Sequence, residues 1–396
     1  MSELRPESVQ RLTDHVAAAA AERTSLEVIG AGSKRGLGRP VAAKTVLSLA
    51  ALRGILLYEP EELVITVQAG TTVAEIEASL AQKGQQLAFE PPDWARLYGA
   101  APGTQTIGGV IAANLAGPRR LTAGAARDHL LGFQAVSGRG ELFKAGGRVV
   151  KNVTGFDLSK LLAGSFGTLA VMTELSLKVL PRPERTATLL LLNLDAAKAA
   201  GAMAAALGSS NDISAAAWLP VRLAARLGVG EGGAVTALRF EGLAESVSYR
   251  VEALMALIPG AAARLDDVES EAFWRRVRDA EPVAADPTRD LWRVSVAPLE
   301  GARLIEALPE AESYLDWGGG LVWLALPAAP DANEARVRAA KGPRGHATLV
   351  RAAAEVRARV APFEPEPAPL AGLSRRVKQS FDPLGILNPG RMVEGV

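Results

Sequence analysis

The chain has 396 residues, 44 lysines and arginines against 43 aspartates and glutamates, and no cysteine. The length favours two domains, or one large domain with an appendage, and the balanced charge argues against a nucleic-acid-binding protein. Without cysteine there are no disulfides, thiolate metal sites, cysteine-ligated iron–sulfur clusters or flavins tethered through sulfur, and a reducing compartment is indicated. Three scattered histidines do not suit a histidine metal site, so no metal is predicted.

The N-terminus does not have the pattern of an export signal. Acidic residues come early, and the alanine run 17–21 lies in a predicted amphipathic helix rather than in an apolar block. No window approaches the roughly 20 apolar residues that a spanning helix needs. We therefore expect a cytoplasmic protein with no direct membrane span.

The first 180 residues mix predicted helices and strands. A helix over 7–22 comes first, and Thr72 with Glu75 has the pattern of a capping box for a second helix, which Gly84 ends. Residues 138–140, Gly-Arg-Gly, predict a hairpin. Strands are predicted at Leu26–Ile29, Thr45–Leu49, Ile55–Tyr58, Leu63–Gln68, Leu130–Ser137, Glu141–Lys144 and Leu169–Leu180.

The sequence Pro-Arg-Pro-Glu-Arg at 181–185 is the predicted domain boundary. After it, alanine-rich helical segments (195–207 and 244–257) alternate with strands, which predicts a second α+β domain. The turn-rich, apolar tail 381–392 is expected to be pinned to the body of the protein. The predicted strands are Thr188–Leu192, Val235–Phe240, Leu291–Ala297 and Leu321–Leu326. Trp274, Trp292, Trp317 and Trp323 are predicted to lie in the core or at an interface.

A glycine-rich loop, Gly-Ala-Gly-Ser-Lys-Arg-Gly-Leu-Gly, leaves the first strand at residues 30–38. Its backbone N–H groups can form a concavity for an anion such as a pyrophosphate, and Lys34 and Arg35 add positive charge. The spacing is not that of a Rossmann fingerprint, because Arg35 stands where the third glycine belongs. Nor is it a P-loop, because Leu37 follows Gly36. An ordinary surface turn is the alternative.

Two further segments are rich in small residues. Residues 102–117 contain Gly108, Gly109 and several alanines, which lets a flat group lie against the backbone, or lets a helix pack tightly on a sheet. In the segment 151–178, a short helix is expected to end at Gly164 and a strand to start after Gly167. These turn glycines suit a bound ring as well as a plain αβ corner.

His346 is the candidate catalytic residue. It has no second metal ligand near it in the sequence, and the other histidines are remote. A structural role or a place at the edge of a substrate is favoured over catalysis.

Nine short segments form an ordered set along most of the chain. They are Gly38-Arg-Pro40, Tyr58-Glu-Pro-Glu-Glu-Leu-Val-Ile65, Glu90-Pro-Pro92, Ala116-Gly-Pro-Arg-Arg120, Lys151-Asn-Val-Thr-Gly-Phe-Asp157, Lys178-Val-Leu-Pro-Arg-Pro183, Asp316-Trp-Gly-Gly319, Gly345-His-Ala-Thr348 and Leu387-Asn-Pro-Gly-Arg-Met392. In this order they resemble the FAD-binding family of p-cresol methylhydroxylase and vanillyl-alcohol oxidase, and within it the FAD-binding E subunits of bacterial glycolate oxidases.

The resemblance implies an α+β fold in three parts. Residues 1–182 would form a p-cresol-methylhydroxylase-type FAD-binding domain of two α/β subdomains, with FAD between them. Residues 186–380 would form a ferredoxin-like α+β cap, and the tail 381–396 would return to the FAD domain. The implied FAD-binding residues are Gly30, Ala31, Gly32, Ser33, Lys34, Gly36, Thr106, Gly108, Gly109, Ala112, Asn114, Gly167, Val171 and Asn388.

Two departures from the family bear on the chemistry. Many relatives tether FAD through a histidine in the first loop, but this loop has none, so we expect non-covalent FAD. Catalytic subunits of the partner type carry a paired-histidine segment for metal and hydroxy acid, whereas this chain offers only His346.

The resemblance implies the FAD-binding subunit of a glycolate oxidase complex, which takes part in the two-electron oxidation of a 2-hydroxy acid. Its partners would be a second, catalytic FAD-binding subunit and an iron–sulfur subunit, through which it would associate with a membrane. Two alternatives stay open: a non-catalytic scaffold with the flavin fold, and a stand-alone FAD-linked oxidoreductase with another substrate.

Overall fold

The computed structural model describes residues 2–148, 156–258 and 262–394. Its contacts divide the chain into two compact units. The first comprises Met1–Ala116, Gly124–Pro181 and Pro365–Val396, and the second comprises Gly117–Ala123 and Arg182–Glu364. Residues 365–380, expected in the cap, thus belong to the first unit. None of the helices in the described part is long and apolar enough to cross a membrane.

A small parallel sheet opens the first unit. Its strands are β1 (Ser2–Leu4), β2 (Leu26–Ile29) and β3 (Thr45–Ser48), in the order β1-β3-β2. The helix α1 (Val9–Glu22) connects β1 to β2 and buries Leu12, Val16 and Ala19, which recur on one helical face. The tail runs beside β2, because Leu387 forms a parallel bridge with Leu26.

An antiparallel sheet forms the rest of this unit, in the order β4-β5-β9-β7-β8. The predicted hairpin is confirmed by the pairing of β7 with β8, and the predicted capping box by reciprocal bonds between Thr72 and Glu75. The strands are β4 (Ile55–Glu59), β5 (Val64–Gln68), β6 (Gln85–Gln86), β7 (Leu130–Ser137), β8 (Leu142–Gly146), β9 (Ala170–Lys178) and β10 (Leu180–Pro181), and β6 pairs with β10. The helices are α2 (Val73–Ala81), α3 (Ile107–Ala112), α5 (Ala126–His129), α6 (Leu158–Leu162) and, near the C-terminus, α15 (Ala368–Phe381); α4 (Arg120–Ala123) belongs to the second unit.

The second unit packs helices on both faces of a large antiparallel sheet, whose order is β14-β11-β13-β12-β16-β17-β15-β18. The strands are β11 (Arg185–Leu192), β12 (Ala215–Leu219), β13 (Val235–Gly242), β14 (Ala262–Asp266), β15 (Asp290–Ser295), β16 (Glu312–Asp316), β17 (Leu321–Leu326) and β18 (His346–Arg351). The helices are α7 (Ala196–Leu207), α8 (Val221–Arg226), α9 (Ala244–Leu257), α10 (Asp267–Arg278), α11 (Glu281–Ala284), α12 (Glu300–Ala307), α13 (Glu334–Lys341) and α14 (Ala354–Arg359).

This sheet consists of two successive βαββαβ halves. In each half the strands lie in the spatial order fourth, first, third, second, which is the ferredoxin-like arrangement. The halves join through their second strands, where Trp218 of β12 pairs with Leu315 of β16. The main apolar core lies on one face of the sheet, beneath α7, α9, α12 and α13. Trp274, Trp292, Trp317 and Trp323 are all buried.

Candidate cofactor site

The three small-residue segments meet in the first unit around two adjoining cavities, one larger than the other. The larger is lined by Val28, Ile29, Gly30, Ala31, Gly32, Ser33, Lys34, Arg35, Leu37, Thr106, Gly109, Ala112, Ala113, Phe166, Asn388 and Arg391. The smaller is more apolar and is lined by Val28, Ile29, Gly30, Leu49, Ala69, Thr106, Gly108, Gly109, Ala112, Phe166, Gly167, Ala170, Val171 and Met172.

The glycine-rich loop after β2 presents unused backbone donors. Two tight turns form it, in which the N–H of Arg35 donates to the carbonyl of Gly32 and the N–H of Leu37 to that of Lys34. Gly32 has a φ of +76°, which favours glycine. No described residue accepts a hydrogen bond from the four consecutive N–H groups of residues 31–34. Consecutive N–H donors beside a cavity suit an anion, and the oxygens of a pyrophosphate would accept from them.

Positive charge accompanies these donors. The ammonium of Lys34 donates to the Gln105 Oε1 atom at 3.0 Å. Burial lowers the pKa of Lys34 from 10.5 to about 8, against the opposing effect of Asp93. Arg391 also lines the larger cavity. Arg35 is less available than the sequence suggested, because its guanidinium is paired with the buried Glu27.

The α3 segment fits closely against the loop. The hydroxyl of Thr106 caps α3 by accepting from the N–H of Gly109, and a Cβ on Gly30 would collide with that hydroxyl. Gly108 donates its N–H to the carbonyl of Ala69 at 2.9 Å, and a Cβ there would lie 2.8 Å from the same oxygen. Glycine at 30 and 108 is therefore needed for the packing of the segments on each other, whereas Gly109 also borders both cavities.

The third segment and the tail complete the site. The N–H of Phe166 donates to the carbonyl of Ala112 at 2.9 Å, which ties the turn before β9 to α3. The buried Asn388 accepts from the N–H of Val28 at 2.7 Å and donates to the carbonyl of Phe166 at 2.8 Å. The Asn388 side chain thus connects the tail to both β2 and the turn before β9, the two walls of the site. The buried hydroxyl of Ser165 has no partner among the described residues.

The predicted FAD-binding residues line one cavity or the other, with two exceptions. Gly36 packs against the ring of Tyr98 instead, where a Cβ would clash. Asn114 accepts a hydrogen bond from the N–H of Arg127 at 3.0 Å. Phe166 and Arg391 were missed, although both lie inside quoted segments. Residues 151–155 of the third segment fall outside the described part of the chain.

His346 lies elsewhere, as the first residue of β18 in the second unit. Loss of hydration and the charge of Arg293 lower its pKa, against the effect of Glu364. In the ranges that the structure describes, no group of three or more acidic, histidine or cysteine side chains could hold a metal ion. His346 is not among the residues that line the two cavities of the first unit.

Comparisons with known proteins bear on this site. The family model for an FAD binding domain matches residues 3–146, which confirms FAD as the cofactor. The glycolate oxidase subunit GlcE of Escherichia coli (strain K12) is 36% identical over 97% of this chain and 97% of its own length. The subunit GlcD of Bacillus subtilis (strain 168) is 37% identical over 160 residues, 40% of this chain and 32% of its own length.

A solved structure bears on the fold alone. A structure of p-cresol methylhydroxylase with bound substrate superimposes with a TM-score of 0.74, at 14% identity, over 99% of this chain and 88% of its own. The predicted fold class is confirmed by this likeness.

Proposed function

Since the chain belongs to the family of the glycolate oxidase subunit GlcE, we propose that it is the FAD-binding subunit of a cytoplasmic complex that oxidises glycolate or a related 2-hydroxy acid. The observation that carries this proposal is similarity over 97% of both chains, combined with a loop whose free N–H groups fit a pyrophosphate. FAD accepts two electrons from the substrate when it is bound.

The first unit supplies the FAD site in this proposal. Residues 31–34 would donate to the pyrophosphate, with Lys34 and Arg391 balancing its charge. The apolar smaller cavity, bordered by Leu49, Val171 and Met172, would take an aromatic ring of the cofactor. Since none of the residues that line the two cavities carries a thiol, an imidazole or a phenol, FAD is expected to bind without a covalent bond.

Electrons would leave through partner subunits. The chain has no cysteine to ligate an iron–sulfur cluster, so the acceptor would be a cluster on a separate subunit. Similarity to GlcE along the whole chain and to GlcD along 160 residues supports a complex that contains two related flavoprotein subunits.

Purification of the tagged chain from its native source tests this proposal. We expect a yellow protein that releases all its flavin on acid precipitation, together with a second flavoprotein and an iron–sulfur protein. Glycolate added in the absence of oxygen should bleach the flavin of the whole complex. A colourless chain that takes up no FAD would refute the redox role and leave a scaffold. A flavoprotein that purifies alone and is bleached only by another substrate would favour a stand-alone oxidoreductase.

A further inference from the structure

A buried tryptophan in the second unit contacts residues from segments that are far apart in the sequence. The side chain of Trp317 follows β16 and is 7% exposed. Its indole N–H donates to the carbonyl of Gly117 at 3.0 Å, which fixes the ring against the segment 117–123. The segments Ala116–Arg120 and Asp316–Gly319, which the cofactor site leaves largely unused, therefore meet here.

Two guanidinium groups lie against this ring. The Cζ atom of Arg120 is 4.8 Å from the ring centroid and that of Arg293 is 4.6 Å from it. Cation–π attraction holds each arginine to the indole, but it does not neutralise two like charges at one ring. Burial, followed by the charge of Arg120, lowers the pKa of Arg293 to about 10.

Arg293 differs from the other partly buried arginines of this unit. Arg226 is paired with Glu312 at 2.6 and 3.0 Å, and Arg338 with Glu364 at 2.7 Å. Across the described ranges, by contrast, no hydrogen bond or ion pair engages the guanidinium of Arg293. A guanidinium carries five N–H donors in a fixed fork, and those of Arg293 are therefore available to a ligand.

On its β18 side, Arg293 has polar and partly exposed neighbours, whereas the buried Trp323 lies opposite it on β17. In the pairing of β15 with β18, Arg293 lies opposite Thr348, and Ser295 lies opposite His346. These four side chains alternate with Trp292, Val294, Ala347 and Leu349, which are fully buried in the core on the other face. The four are partly or well exposed. A ligand can therefore reach Arg293 on this face, beside neutral hydrogen-bonding groups.

We propose that Arg293 and Arg120, held against Trp317, form a binding site for the carboxylate of a small hydroxy acid. A carboxylate accepts two parallel N–H bonds from one guanidinium. The nearby Asp316 offsets part of the positive charge of Arg293. Thr348 and His346 are placed to bind a hydroxyl group. The choice of a hydroxy acid rests on the proposed function.

Calorimetric titration of the full FAD-loaded chain tests the site without relying on turnover. The probes are glycolate, D-lactate, the neutral analogue glycolamide, and inorganic phosphate. We expect glycolate to bind and glycolamide not to bind. Arg293→Met should weaken glycolate binding about tenfold or more, and Arg293→Lys should restore part of it. The matched control is Arg303→Met, on α12 at the opposite face of the sheet.

Three results would overturn the site: no binding of any carboxylate by the native chain, equal binding of glycolamide, or glycolate binding that Arg293→Met leaves unchanged. Preference for phosphate would overturn the carboxylate assignment. Thermal unfolding shows whether Arg293→Met is folded, and Arg120→Met gives an independent second variant. If D-lactate binds through Arg293 but glycolate does not, the site stands and glycolate as substrate falls. If glycolate bleaches the flavin of Arg293→Met with undiminished affinity, the proposed site falls and glycolate stands as the substrate.

Discussion

The cavities of the first unit and the Trp317 cluster of the second unit are built in opposite ways. The first presents mainly backbone: four N–H groups of residues 31–34, with glycine where a side chain would obstruct. The second presents side chains, the guanidinium groups of Arg120 and Arg293 stacked on an indole. A backbone site is damaged by adding atoms, whereas a side-chain site is damaged by removing them. Substitutions of the two kinds therefore separate the two regions.

Adding one methyl group at Gly30 should have the largest effect. In Gly30→Ala the new Cβ displaces the hydroxyl of Thr106, which caps α3 and borders both cavities. We expect FAD affinity to fall about a hundredfold or more, which corresponds to about 3 kcal/mol. Flavin absorbance per protein measures it. The control is Gly147→Ala in the same unit, where a Cβ meets nothing within 4 Å. Equal flavin loss in both variants would show that the close fit of Gly30 is irrelevant.

Truncation of Asn388 should have the next largest effect, because this side chain joins the tail to both walls of the first site. Asn388→Ala removes the hydrogen bonds of this buried side chain to the N–H of Val28 and the carbonyl of Phe166. We expect the free energy of unfolding to fall by about 2–4 kcal/mol. Denaturant unfolding of the FAD-free chain measures this change. Asn333→Ala is the control, because Asn333 also has a positive φ but lies outside the core. A loss below that of the control would contradict the prediction.

Much of the fold was predictable from local patterns. Strands β2, β7 and β17 combine β-branched or leucine residues with clear turn signals, and the structure confirms them. β12, Ala-Ala-Ala-Trp-Leu, was not predicted, because alanine does not favour strands. Its burial between β13 and β16 decides its conformation, and that is a tertiary effect. The two ferredoxin-like halves show no sequence repeat, because the pairing order, rather than a motif, defines them.

The two sites also differ in how far the sequence alone predicts them, because one is local and the other is assembled by the fold. The loop 30–38 lies in one continuous segment, so the amino-acid sequence alone is enough to recognise its glycines. The Trp317 cluster combines residues about 200 positions apart, and no spacing rule connects Arg120 with Arg293. Recognising the loop glycines from the sequence also has a limit, because Gly36 packs on Tyr98 rather than at the cavity.

The charge of Lys34 should have an intermediate effect that depends on pH. Its pKa of about 8 in the FAD-free chain means that it is cationic at pH 7 and increasingly neutral above pH 8. FAD affinity should therefore decline above pH 8, by up to about tenfold per pH unit. Lys34→Met should bind FAD about tenfold more weakly at pH 7 and lose this dependence. Fluorescence titration of FAD measures both, with the exposed Lys83→Met as control.

The stability of the FAD-free chain should change in the opposite direction. Between pH 8 and 10.5 the unfolded chain keeps the Lys34 proton while the folded chain has lost it. Since stability rises with pH wherever the unfolded state binds more protons, the Lys34 contribution to the unfolding free energy should increase over this range. Comparison of native and Lys34→Met unfolding curves isolates it. A difference between the two that is independent of pH would contradict the assignment.

Replacement of the indole at the second site should have the smallest effect. Trp317→Phe keeps an aromatic ring for the two arginines but loses the hydrogen bond to Gly117, so both guanidinium groups become less well placed. We expect glycolate affinity to fall about threefold, since a weakened cation–π contact is worth about 0.5–1 kcal/mol. Trp292→Phe is a close control. The Trp292 indole also donates to a backbone carbonyl, that of Ala332, and also lies near an arginine, but on the core face. Both variants should lose stability, and only Trp317→Phe should lose glycolate affinity. Equal losses of glycolate affinity in the two variants would show that the Trp317 cluster is only part of the packing. The contrast between a backbone-built and a side-chain-built site would then disappear.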